Sequence, residues 1–114
     1  MFDFEKLSVY QKAKAYNSSV SELINQISLE KHIRSQLHRA SFSIMLNIAE
    51  GSGRFTNRDK RNFYVISRGS AFECVAVFDF LKDNRTITLE TYQEYYEKLE
   101  ELSKMLLGMI KHLS

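Results

Sequence analysis

Apolar residues recur three and four positions apart in four successive runs, and no proline interrupts any of them. This pattern constrains the chain more than anything in its composition. Residues three and four apart share one face of an α-helix, so each run reads as an amphipathic helix that needs a partner surface. The lack of proline permits long helices, and the periodicity is what establishes them.

In the first run Val9, Ala13, Tyr16, Val20, Leu23, Ile24 and Ile27 form the stripe, with Ser8 and Gln11 spaced as a capping box. A helix is expected over residues 9–27, with Phe2, Phe4 and Leu7 packing its approach. Ser28 is the expected cap of a second helix over 29–51, striped by Ile33, Leu37, Ala40, Ile44 and Ile48. Gly51 and Gly53 end that helix, Gly51 in a left-handed C-cap conformation. Thr56, with Asp59 three residues on, caps a third helix over 57–83 that places Phe63, Ile66, Ser70, Val77, Phe78 and Leu81 near one face. After the turn DNRTIT, Thr88 caps a fourth over 89–113, carrying Tyr92, Tyr96, Leu99, Leu102, Leu106, Met109, Ile110 and Leu113.

Each run spans roughly 19 to 27 residues, or about 30 to 40 Å of helix. Similar lengths and short joins favour an all-α, antiparallel up-down-up-down four-helix bundle occupying residues 1–114 as one domain. The β-branched and aromatic residues of the third run make a strand its local alternative, opposed by its length and lack of turn punctuation.

At 44% hydrophobic and with only four glycines, the chain is not of the disordered class. It has no signal-like N-terminal segment, and no apolar run approaches the roughly 18 residues of a membrane span. Cys74 is the only cysteine, set among apolar neighbours as a core thiol would be. A cytoplasmic protein with no membrane partner is expected.

Charge is unevenly spread. Residues 31–68 carry Lys31, Arg34, Arg39, Arg54, Arg58, Lys60, Arg61 and Arg68 against only Glu50 and Asp59, while the remainder is net acidic. Such asymmetry suits nucleic acid, an acidic protein, or attraction between subunits, without choosing among them.

Gly51-Ser52-Gly53 lacks the Gly-Lys-Ser/Thr ending of a phosphate loop and joins two helices rather than a strand to a helix, so it reads as an elbow. Amides at the next helix start, with Arg54 and Arg58, are a lesser phosphate-binding alternative. Arg39, Ser43, Asn47, Glu50 and Arg54 climb one helical face at spacings of four, four, three and four. With Arg68 and Glu73 on the third helix, Arg39, Ser43, Asn47 and Glu50 suggest a polar network that orients helices or subunits. Around the bend, Arg39, Arg54, Arg58, Lys60 and Arg61 suggest phosphate contacts, with Phe55 or Tyr64 packing on a base. The plainer reading makes Phe55 a hydrophobic anchor at the elbow and the charges its solvated surroundings.

Catalysis has weaker support. His32, His38 and His112 do not share a face, no zinc-ligand spacing occurs, and neither Ser43 nor Glu50 has a sequence-defined acid–base partner. No catalytic, cofactor or metal site is expected.

The motifs VYQKA at 9–13, QLHRASFSIMLNIAEGSGR at 36–54 and ISRGSAFE at 66–73 resemble the four-helix-bundle family associated with intervening sequences in 23S ribosomal RNA genes. The resemblance extends over nearly the whole chain. It takes in Arg39, Ala40, Ser43, Ile44, Asn47, Ile48, Ala49, Glu50, Gly51 and Arg54 on the second helix and elbow. On the third it takes in Phe63, Ile66, Arg68, Gly69, Ser70 and Glu73. Tyr10 stands at that family's usual tryptophan position and Met45 where it often has proline. The resemblance implies a homo-oligomer, a pentamer as among structural relatives, and it extends to nucleic-acid-binding accessory proteins of diversity-generating retroelements. Physics adds a reason for assembly: Phe42, Met45, Leu46, Phe55, Tyr64, Phe72, Tyr95 and Met105 set large apolar groups around several faces. The expected role is thus a homo-oligomeric, nonenzymatic accessory protein with a nucleic-acid or acidic-protein surface. The alternative is a structural protein-interaction bundle with no nucleic-acid role.

Overall fold

The computed structural model describes all of residues 1–114. A 3-10 turn, Asp3–Lys6, leads into α1 (Ser8–Gln26), then α2 (Lys31–Ser52), α3 (Asn57–Asp83) and α4 (Leu89–His112). No strand forms, and the third run is a single helix of 27 residues. Cross-helix bonds fix the directions. Arg34 reaches the Ile24 carbonyl while Tyr16 meets Ser41, so numbers rise along α2 as they fall along α1. Arg39 with Glu73 and Ile44 with Ser67 set the same antiparallel relation between α2 and α3. Ser19 with Tyr95 and Lys12 with Glu101 do so for α1 and α4, completing an up-down-up-down bundle 44 Å long.

Two helix starts differ from the sequence expectation. Ser8 lies inside α1, whose N-cap is Leu7, and Gln11 donates to the Glu5 carbonyl of the preceding turn. Ser28 lies outside α2, which begins two residues later than expected and has Glu30 as an N-cap without a side-chain bond. Thr56 and Thr88 do cap α3 and α4, accepting from the Asp59 and Thr91 amides. A left-handed C-cap is present too, but after α3: Arg85 has φ 60°, with Arg85 and Thr86 amides closing on the Lys82 and Leu81 carbonyls.

The core side of α3 is rotated by about one residue from the expected stripe. Tyr64, Ser67, Ala71, Cys74, Phe78 and Leu81 are buried at alternating spacings of three and four, whereas Ile66 is half exposed. Phe78 and Leu81 are buried as expected, while small side chains, Ser67, Ala71 and Cys74, occupy the middle of this seam in place of the expected Ile66 and Ser70. On α4 the same slip exchanges Tyr96 for Tyr95, which stacks on Phe78 with ring centroids 4.9 Å apart. The buried hydroxyls are all satisfied: Ser67 donates to the Ile44 carbonyl at 2.7 Å, and Ser41 lies between the Tyr16 hydroxyl and the Cys74 sulfur.

Burial raises the Tyr16 phenol well above its ordinary value of 10.0, and raises the Cys74 thiol above 9.0. A folded-state value above the unfolded one means that the native state holds the proton longer. Stability from these groups is complete below the unfolded values and declines as pH rises beyond them. Thermal melts should therefore hold level to about pH 9 and fall increasingly beyond pH 10. The decline should be shallower in Tyr16→Phe; an equal decline in that variant would remove the buried phenol as its cause.

Candidate interaction site at the elbow between α2 and α3

The polar stripe of α2 is divided among short local contacts. Arg39 donates to Glu73 at 2.7 Å and to Gln36, Ser43 and Ser70 share a hydrogen bond at 2.8 Å, and Asn47 donates back to Ser43. Glu50 pairs with Arg54 at 3.4 Å. These residues form a half-exposed ladder along the α2–α3 seam. Arg68 is not part of it: its guanidinium lies over Phe72 and donates to the Ser103 carbonyl on α4. The expected single network therefore separates into an α2–α3 ladder and an isolated α3–α4 tie.

The basic set is dispersed as well. Arg39 stands fifteen residues before Arg54, about 22 Å along the helix, and is occupied by Glu73. Lys60 donates to the Ser52 carbonyl at the end of α2, and Arg61 reaches Ser114. Both hold the end of the bundle together. Arg54 packs its guanidinium 4.4 Å from the Phe63 ring centre, and Arg58 projects without a bonded partner. Only Arg54 and Arg58 flank the apex, where Phe55 is 100% exposed. Phe55 is therefore not the hydrophobic anchor of the elbow.

Tyr64 supplies that anchor. Gly51 lies within α2 in ordinary right-handed geometry, which corrects its expected left-handed C-cap role. Its need for glycine is spatial, because a β-carbon there would lie 2.7 Å from Tyr64 Cε1 and 3.0 Å from Phe63 Cβ. Gly53 is the cap, with φ −88° and its amide bonded to the Glu50 carbonyl, and a β-carbon there meets nothing closer than 3.6 Å. Tyr64 is buried and cannot stack on a base from this position.

Outside the elbow, Phe42 and Leu46 flank the ladder on α2, Ile66 flanks it on α3, and Val65 and Phe72 continue around α3; all five are exposed. Met45, Tyr64, Tyr95 and Met105, expected among the outward apolar groups, pack on or in the core instead. A groove of about 490 Å³ between α3 and α4 was not anticipated. Phe72, Val75, Tyr92 and Tyr96 line it; Tyr92 and Tyr96 were expected on the core stripe of α4, and Phe72 among the outward apolar groups.

Residues 5–108 match the family described as 23S rRNA-intervening sequence protein. The chain belongs to that family. Among solved structures, the 1.70 Å crystal structure of a protein of unknown function from the S23 ribosomal protein family of Bacteroides thetaiotaomicron is similar. It superposes with a TM-score of 0.86 at 24% identity, over 90% of this chain and 98% of that one, a likeness of fold. No curated protein matches at a significant level. No helix of this member of the 23S rRNA-intervening sequence family is long and apolar enough to cross a membrane.

The elbow geometry of this family member separates its two glycines. Gly51→Val should cost roughly 1–3 kcal/mol by forcing Tyr64 and Phe63 aside, whereas Gly53→Ala should stay within about 0.5 kcal/mol. Urea unfolding measures both. Equal losses at the two positions would contradict the close-approach role of Gly51.

Proposed function

We propose that the chain acts as a homo-oligomeric, nonenzymatic accessory protein of the cytoplasm. In this reading the α2–α3 face packs against another copy, and the elbows remain outward for a polyanionic partner, nucleic acid or an acidic protein. The observation that carries it is the apolar face itself. Leu46 and Ile66 are each 51% exposed and Phe42 is 43% exposed, beside a ladder whose polar groups bond locally. A monomer leaves this surface in water, and packing it against a second copy would regain roughly 25 cal/mol per Å² of apolar area. Gly69 supports the same reading. A mid-helix glycine costs about 1 kcal/mol relative to alanine, yet apart from its own helical backbone and chain neighbours nothing lies within 4 Å of where its β-carbon would stand. A closely docked neighbour would use that space. The half-exposed ladder would then set subunit orientation. An accessory role also agrees with the resemblance to retroelement accessory proteins, and a pentamer with the family resemblance.

The second reading, a protein-interaction bundle with no nucleic-acid role, is favoured by the Arg39–Glu73 and Arg54–Glu50 pairs, which offset part of the basic surface. The first reading requires self-association. Light scattering across a micromolar dilution series should give one discrete species several times the 13.4 kDa chain mass, near five times for a pentamer. A 13.4 kDa species throughout would overturn the oligomeric reading.

A further inference from the structure

Phe55 has no structural use within the chain. Its side chain is fully exposed, and the neighbouring capping and anchoring roles belong to Gly53, Thr56 and Tyr64. Leaving such a ring in water forgoes the favourable burial of its apolar area. The backbone beneath it is nevertheless well held. The Gly53 and Arg54 amides bond to the Glu50 and Gly51 carbonyls, and the Thr56 hydroxyl accepts from the Asp59 amide while its carbonyl receives the Lys60 amide. Phe55 thus stands between two anchored residues, presented to a partner with little ordering left to do.

Its surroundings narrow the partner. Arg54 and Arg58 flank the ring within five consecutive residues, and both are exposed. An exposed aromatic with an arginine on either side of it in the chain suits the alternation of base and phosphate along one strand, where stacking and charge act together. A regular duplex keeps its base faces covered, so a single ring on a loop can stack only on an unpaired base. Arg39 is too remote to extend this basic surface along a groove, about 22 Å away along the helix, and Arg54 must exchange its long, solvent-exposed 3.4 Å contact with Glu50 for a phosphate. A bilayer fits less well, because the ring is bracketed by Gly53, Thr56 and Asn57 and offers little apolar area.

We infer that the elbow binds single-stranded nucleic acid, with Phe55 stacking on an unpaired base and Arg54 and Arg58 contacting the adjoining phosphates. This rests on the polyanion half of the function proposed above and names its partner. In an oligomer the elbows would repeat, so several weak contacts could share one strand.

The test is fluorescence anisotropy of the full chain at low salt, using labelled single-stranded oligouridine, single-stranded oligothymidine and a blunt duplex. Binding of either single strand more tightly than the duplex is expected. Phe55→Ala should weaken that single-strand binding at least about fivefold while leaving the melting temperature and assembly size unchanged. Arg54→Ala/Arg58→Ala should weaken single strands and duplex alike. Equal affinity for duplex and single strand, with no effect of Phe55→Ala, would overturn the stacking role and leave polyanion binding standing. No binding to any nucleic acid would overturn the inference and leave only the acidic-protein partner of the proposed function, while light scattering would still report separately on assembly. Phe55-dependent binding only to vesicles containing phosphatidylserine would reassign the elbow to lipid and overturn the inference.

Discussion

The close approach of α2 and α3 organises the remainder of the molecule. Along this seam Ser67 and Ala71 occupy buried positions, Ser67 donates to the Ile44 carbonyl, and Gly51 accepts the Tyr64 ring against its backbone. Small side chains let two helices lie near enough for a hydroxyl to reach the opposite main chain. That bond also satisfies a group whose burial would otherwise be costly. The register follows from it: once Ser67 is opposite Ile44, Ser43 meets Ser70 and Arg39 meets Glu73.

The same seam explains why large apolar side chains remain outside. A helix that gives its inward positions to Ser67, Ala71 and Cys74 has Val65, Ile66 and Phe72 left on its outer sides, and α2 likewise leaves Phe42 and Leu46. The exposed face and the tight seam are two consequences of one distribution of side-chain sizes. Because the ladder between them is already hydrogen-bonded, a docking neighbour need not supply partners for most of its polar groups. The proposed assembly surface arises from how the monomer packs.

Helix number, order and the starts of α3 and α4 were legible in the sequence because periodicity and two threonine caps agreed there. Thr56 and Thr88 each accept an amide three residues on, as their spacing indicated. Ser8 and Ser28 carried a similar signal without that outcome. A 3-10 turn takes over the approach to α1, and Arg34 ties the α1–α2 connection through the Ile24 carbonyl. The phase of α3 was hidden for a different reason: a polar residue such as Ser67 reads as outward unless the opposing carbonyl is known. Gly51 was recognised as necessary near the elbow, but its reason lies in Tyr64 across the seam, which local backbone preference does not reveal. Among the candidate basic residues, charge alone could not separate Arg58, which projects freely, from Lys60 and Arg61, which bond to the Ser52 carbonyl and the Ser114 hydroxyl.

The central claim is that the outer α2–α3 face, a by-product of the close seam, is the surface by which copies associate. The most direct measurement is sedimentation of Leu46→Glu/Ile66→Glu alongside the unaltered chain. Both positions are half exposed, so the monomer fold should tolerate the change, with the helical circular dichroism preserved. The account expects the unaltered chain to sediment as an oligomer and the variant as a folded monomer, since carboxylates buried against a neighbour would be unpaired. A folded variant that still sediments at the oligomer mass would contradict it.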